Sequence, residues 1–93
     1  MLTIQSKIRI SSHVTTSRVD DDVVLLNTRT NQYFALEDVA ARSWSLLEEG
    51  IGLAQICIML EKEYLVGQAE LNRDVLELIS HFMENGLVEL VEE

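Results

Sequence analysis

The spacing of apolar residues changes once along this chain, near residue 37, and that change constrains the fold more than any other feature. Before it, apolar and polar residues alternate, as they do along a half-buried strand. After it, apolar residues recur at intervals of three and four, which is typical of amphipathic helices. The pattern therefore predicts an α+β chain in which a small sheet precedes a set of helices.

The first 36 residues predict an antiparallel sheet of three strands. Ile8 and Ile10 alternate with polar neighbours, which indicates a strand. Segment 14–19 either continues that strand or bends away from it at Ser11 and Ser12. The next two strands are the short apolar runs 23–26 and 33–36.

Two polar segments of this region predict turns. Asp20, Asp21 and Asp22 form a solvated turn, because a calcium loop needs ligands spread over a longer loop that contains glycine. Segment 27–32 has hairpin length, and its Asn31 can adopt the left-handed conformation that such a turn often needs.

Three helices follow the predicted sheet. Asp38 is the expected N-cap of the first helix, which ends at Gly50, and Trp44 is its core anchor. The second helix has a clean apolar face, formed by Leu53, Ile56, Cys57, Leu60 and Tyr64. We expect Cys57 to be a buried hydrophobe, because no neighbouring cation would activate its thiol.

The third helix runs from about Gln68 to Asn85 and is followed by residues that are typical of a helix C-terminus. Gly86 fits the left-handed position after the helix, and Leu87 can then pack back on Phe82. A last short strand is predicted at 87–91, before the acidic end. The order β-β-β-α-α-α-β resembles a winged helix-turn-helix, and we expect residues 1–93 to form one domain.

Charge and composition exclude several classes of function. The net charge of −9 and a third helix whose one cation is Arg73 argue against nucleic acid. The longest uncharged run, 50–60, is far short of the roughly 20 residues of a membrane span. The N-terminus lacks the order of a signal peptide, so we expect a cytoplasmic protein without a membrane partner.

The sequence offers little material for catalysis. One cysteine and two histidines allow neither an internal disulfide nor a zinc set, so no metal and no cofactor are expected. His13 and His81 have no nucleophile placed beside them, and we expect His81 to be a solvated surface residue. These observations predict a protein that is not an enzyme.

Two features favour protein or peptide binding. The apolar arc of the third helix is about 160° wide, more than a single core contact needs, and the surplus either lines a groove or covers the last strand. Segment 32–36 lacks the charge, proline or bulge that usually protects an edge strand. Phe34 and Leu36 would face the core, with Tyr33 and Ala35 on the other face. Such an edge captures either an extended peptide as an added strand or a second copy of the chain.

Four segments, in this order and spacing, resemble the PqqD-like family. They are 24–27 (VLLN), 31–36 (NQYFAL), 39–50 (VAARSWSLLEEG) and the last helix with its glycine-leucine ending, 74–88. The connection between the strands is most similar to the stand-alone proteins of lasso-peptide pathways. Asn31 and Gly52 depart from the family pattern, although both still suit a turn and a helix cap.

The resemblance implies a non-catalytic protein that binds the leader of a ribosomally made precursor peptide as an added strand. It then presents the precursor to a separate modifying enzyme, such as a leader peptidase or cyclase. A peptide chaperone for pyrroloquinoline quinone synthesis and a homodimeric interaction module are the alternatives. The implied peptide-binding residues are Gln32, Tyr33, Phe34, Ala35, Leu71, Asp74, Val75 and Leu78. The opposite flank of the third helix, Leu76 and Met83, stays open as the groove wall.

Overall fold

The computed structural model of the protein describes residues 2–91. Met1, Glu92 and Glu93, which belong to the predicted domain and its acidic end, lie outside the described residues. Five strands and three helices follow one another in the order β1 (Lys7–Ile10), β2 (Val14–Val19), β3 (Asp22–Asn27), β4 (Gln32–Leu36), α1 (Asp38–Glu48), α2 (Leu53–Tyr64), α3 (Gln68–Glu84) and β5 (Val88–Val91). The α+β class and the three helices are confirmed.

The strands form two separate sheets. The predicted three-stranded antiparallel sheet consists of β2, β3 and β4, with β3 in the centre. The chain bends away after β1, and β1 pairs with β5 instead. At the bend, Ser11 is buried and its N–H donates to the carbonyl oxygen of Leu87 at 3.0 Å. This contact joins distant parts of the chain, which is why the local pattern left the course of segment 14–19 open.

The end of α3 makes the pairing of β1 with β5 possible. Gly86 has a φ of +70°, in the left-handed region. The N–H of Leu87 donates to Phe82 O at 2.9 Å, and that of Gly86 donates to Met83 O at 3.1 Å. These two bonds are the Schellman motif that the sequence predicts. The reversal turns the chain back, so that β5 runs along β1.

The start of α1 differs from the prediction. Glu37, not Asp38, is the N-cap, with extended backbone and no side-chain capping bond. Asp38 is the first helical residue, and its carboxylate therefore lies in the first turn, where the helix dipole favours negative charge. The helix begins one position earlier than a capping role for Asp38 requires.

Trp44 joins the helices to the three-stranded sheet. Its side chain is fully buried, and its ring lies edge-on to Phe82 with centroids 5.4 Å apart. The indole Nε1–H donates to Thr16 Oγ1 on β2 at 3.2 Å. The ring therefore fills the centre of the core while its polar atom is satisfied, as a buried tryptophan requires.

Cys57 lies inside the core, as the sequence predicts, and burial raises the pKa of its thiol. Because the thiolate is the reactive form, we expect the native protein to react with iodoacetamide at pH 8 far more slowly than the unfolded chain does. Mass spectrometry with and without denaturant measures both rates. Equal rates would contradict the burial of this residue.

Candidate functional site

The hydrogen bonds around β3 show towards which neighbouring strand its last residue, Asn27, points its backbone N–H and C=O groups. The N–H of Thr28 donates to His13 O at 2.8 Å, one step outside the pair formed by Val14 and Asn27. In an antiparallel ladder, this places Val14 and Asn27 in a pair without mutual hydrogen bonds. The backbone groups of Asn27 therefore point away from β2 and towards β4.

The same alternation then applies to β4, whose first residue, Gln32, lies opposite Asn27. Gln32, Phe34 and Leu36 direct their backbone groups towards β3. Tyr33 and Ala35 direct theirs outwards, along an edge on which no other strand of residues 2–91 pairs. The free edge thus offers two N–H and two C=O groups to an incoming strand.

The side chains of β4 alternate as the sequence predicts. Leu36 is buried and Phe34 packs against the core. Tyr33 is 70% exposed, and Ala35 is exposed as well. The free edge therefore carries small or solvent-facing side chains at the two positions whose backbone is open.

Along α3, the predicted groove residues divide into two groups. Leu71 and Val75 are 2% and 0% exposed, because they lie at the centre of the buried face of the helix. They therefore have almost no surface for a ligand. Leu78 is half-buried and Asp74 is exposed, which leaves both accessible at the margin of that face.

Asn27, the last residue of β3, ties the β3–β4 hairpin to the end of α3. Its side chain is 3% exposed, and its Nδ2 donates to the backbone oxygen of Asn85 at 3.0 Å. Its Oδ1 accepts from the N–H of Arg29 at 3.0 Å, within the hairpin turn. A Cβ at Gly86 would lie 3.0 Å from the same amide, so glycine permits this close approach. We did not predict this positioning role, although an asparagine at the end of a strand before a polar turn was the available signal.

Beside this junction lies an open hollow of about 400 Å³, whose lining includes Gln32, Met83 and Asn85. The two residues of the opposite flank of α3, Leu76 and Met83, therefore lie in different places. Met83 lies at the β4 junction, whereas Leu76 lines a different depression, next to Leu2. The start of β4 and the C-terminal end of α3 therefore line the same hollow.

The charges around the fold are largely carboxylates and paired arginines. Arg42 bonds Glu63 at 3.0 Å, which raises the pKa of the guanidinium. Arg9 and Arg18 bond Glu89 and Glu48, respectively. On a chain of net charge −9, this pairing leaves little cationic surface for a phosphate backbone.

Potential metal ligands are dispersed over residues 2–91. Within that part of the chain, no three His, Cys, Asp or Glu side chains come together as metal ligands. His81 is exposed, as expected, and its ring lies 3.4 Å from the Asn85 amide nitrogen. No helix of the described region is long and apolar enough to cross a membrane.

These features define a small α+β domain of the winged-helix type, with an open strand edge on a strand that begins beside the end of the third helix. Residues 22–88, well over half of the chain, match the model of the family described as coenzyme PQQ synthesis protein D (PqqD). The chain belongs to this family, as its sequence resemblance predicts. A comparison with curated proteins found no match.

Two solved structures are similar over nearly their whole length. The first, TbiB1 in complex with the TbiA(beta) leader peptide, is 35% identical, with a TM-score of 0.87 over 91% of this chain and 99% of that one. The second, a lasso peptide synthetase B1 complexed with the leader peptide, is 29% identical, with a TM-score of 0.83 over 89% and 98%. Each of these two relatives is thus described as a complex with a leader peptide.

Proposed function

We propose that this protein captures the leader of a ribosomally made precursor peptide as an added strand on β4. The observation that carries the proposal is the open edge, where the backbone groups of Tyr33 and Ala35 point outwards on a strand that begins beside the end of α3. Backbone pairing of this kind gives affinity with little dependence on sequence. The similarity to two leader-peptide complexes supports this choice of ligand.

Side chains of α3 would select the leader. Leu78 offers apolar surface, and Asp74 can pair with a cationic or hydroxyl group. The hollow at Met83 can receive a further side chain where the leader passes Gln32. Of the other predicted residues, Leu71 and Val75 support the groove from within the core, and Phe34 fixes β4 on it.

The protein itself acts without catalysis, as one domain in the cytoplasm, and presents the bound precursor to a separate leader peptidase or cyclase. Holding the leader keeps the rest of the precursor near that enzyme, which raises its effective concentration there. The likeness to lasso-peptide proteins favours this role over that of a chaperone in pyrroloquinoline quinone synthesis. A homodimer through β4 would compete with the leader for the same edge.

A titration of labelled leader peptide, followed by fluorescence anisotropy, tests the proposal. We expect saturable binding of the native leader and none of a scrambled one. Replacing Leu78 with Glu should weaken binding by about tenfold or more, because an apolar contact becomes a hydrated charge. His81→Ala, a change at an exposed position, should leave the affinity unchanged.

Leu76→Glu is the matched control, because it makes the same change on the other flank of the same helix. It should bind the leader like the wild type. Loss of binding in Leu76→Glu, with Leu78→Glu unaffected, would place the leader on the wrong flank for this proposal. Absence of leader binding to the folded wild-type chain, with its partner enzyme present as well, would refute the function itself.

A further inference from the structure

A second groove, which the leader site does not use, lies between the N-terminal segment and the connection from α1 to α2. It has a volume of about 630 Å³ and is lined by residues 4–8, by residues 50–55, and by Leu47 and Ile58. We call it the α1–α2 groove. Ile58 is 38% exposed, and Ile4, Ile8, Leu47 and Ile51 are half-buried along it. Its surface is therefore mostly aliphatic.

The charge of this groove differs from that of the rest of the chain. The sequence has 16 Asp and Glu residues, yet no carboxylate belongs to the lining, and Lys7 is its one charged side chain. Most of the lining comes from segments 4–6 and 50–55, which are free of charged side chains. Depletion of charged residues at the centre of a patch is characteristic of surfaces that bind another protein.

The groove and the leader site can be occupied at the same time. No residue of β4 or α3 contributes to the lining of the α1–α2 groove. A partner seated there would leave the open backbone of Tyr33 and Ala35 accessible. This is the arrangement that an adaptor needs, with the peptide on one surface and the enzyme on another.

Charge also favours a different protein over a second copy as the occupant. Two copies of this chain would bring two net charges of −9 together, and such like charges repel. A partner that presents an apolar, uncharged segment meets no such cost. We propose that the α1–α2 groove docks the enzyme that modifies the precursor, through an apolar and uncharged segment of that enzyme; this inference rests on the proposed function.

Ala54→Glu tests the proposal without threatening the fold. Ala54 is exposed, lines the groove and is the second residue of α2, whose first turn contains no acidic residue. A carboxylate there is favourable to the helix dipole, so the variant should melt no lower than the wild type. In the complex, the same carboxylate would be desolvated against the apolar segment of the enzyme. We expect it to weaken enzyme binding by about tenfold or more.

Ala69→Glu is the matched control, because Ala69 is the exposed second residue of α3 and lies outside the groove. The probe is the purified leader peptidase or cyclase, measured by biolayer interferometry against each immobilised variant with leader present. We expect Ala69→Glu to bind this enzyme like the wild type. Equal enzyme affinities for Ala54→Glu and the wild type, or no enzyme binding at all, would overturn the proposal.

Two further measurements separate this inference from its alternatives. Titration of Ala54→Glu with leader should give the wild-type leader affinity. If neither the wild type nor any variant binds the leader, the proposed function is refuted. The enzyme-binding measurement would still test the groove in that case.

Sedimentation equilibrium tests whether a second copy of the chain occupies the groove. A wild-type dimer that Ala54→Glu dissociates would overturn the proposal, because the groove would then be a self-association surface.

Discussion

Replacing Ala35 with proline is expected to abolish most of the leader affinity while leaving the protein folded. The N–H of Ala35 points outwards from β4, so proline removes a donor that only an added strand would use. The leader carbonyl opposite would lose its partner, at a cost of about 1–3 kcal/mol. Anisotropy titration should therefore show a loss of about tenfold to a hundredfold.

Ala35→Val is the control for this substitution, because valine keeps the N–H and suits a strand. It should bind the leader with an affinity close to that of the wild type. Circular dichroism melts should show that the proline variant retains the fold, since the bonds between β3 and β4 do not involve this N–H. A folded proline variant with unchanged leader affinity would show that the leader does not pair with β4.

Replacing Asn27 with alanine is expected to lower both stability and leader affinity. The substitution removes the amide that donates to Asn85 O and the oxygen that accepts from the Arg29 N–H, and both bonds are part-buried. A fully buried group left unsatisfied costs about 1–3 kcal/mol, so losing two part-buried bonds should lower the free energy of unfolding by about 2 kcal/mol. Urea denaturation measures this change. Leader affinity should fall as well, because the β3–β4 hairpin would no longer be tied to the end of α3.

Asn85→Ala is the matched control, because Asn27 bonds the backbone oxygen of Asn85 and not its side chain. The Asn85 side chain donates to His81 O in an exposed position, and its loss should cost less than about 1 kcal/mol. Similar destabilisation by Asn27→Ala and Asn85→Ala would contradict a special role for the buried bond. In that case the β3–β4 hairpin must be held at the end of α3 by other side chains.

Much of the fold could be predicted because its signals are local. The apolar spacing predicts the buried face of α2, apart from Tyr64, which is 36% exposed, and it predicts α3 to within one residue. Gly86 and Asn31 both adopt the left-handed conformation expected of them. The alternation of 33–36 correctly places Leu36 inwards and Tyr33 outwards. Each of these predictions depends on residues that are close together in the chain.

The candidate site was only partly predictable, because the depth at which a side chain is buried depends on residues that are far apart in the chain. A helical projection shows which residues share a face, but it does not show where the core ends and the surface begins on that face. The sequence therefore placed Leu71 and Val75 beside Leu78, whereas the structure buries the first two and leaves Leu78 at the margin. The leader-binding role itself came from resemblance to a family and not from any single residue.

By itself, the sequence determined that strands precede three helices and a last strand, where the main turns lie and the charge that argues against nucleic acid, because these follow from neighbouring residues and from composition. Only the tertiary structure decided that β1 is separate from β2 and pairs with β5, that Asn27 holds the β3–β4 hairpin against the end of α3, and that segments 4–8 and 50–55 form one groove. These three arrangements join residues that are far apart in the chain. They depend on how the helices pack on the sheet, which no local pattern specifies.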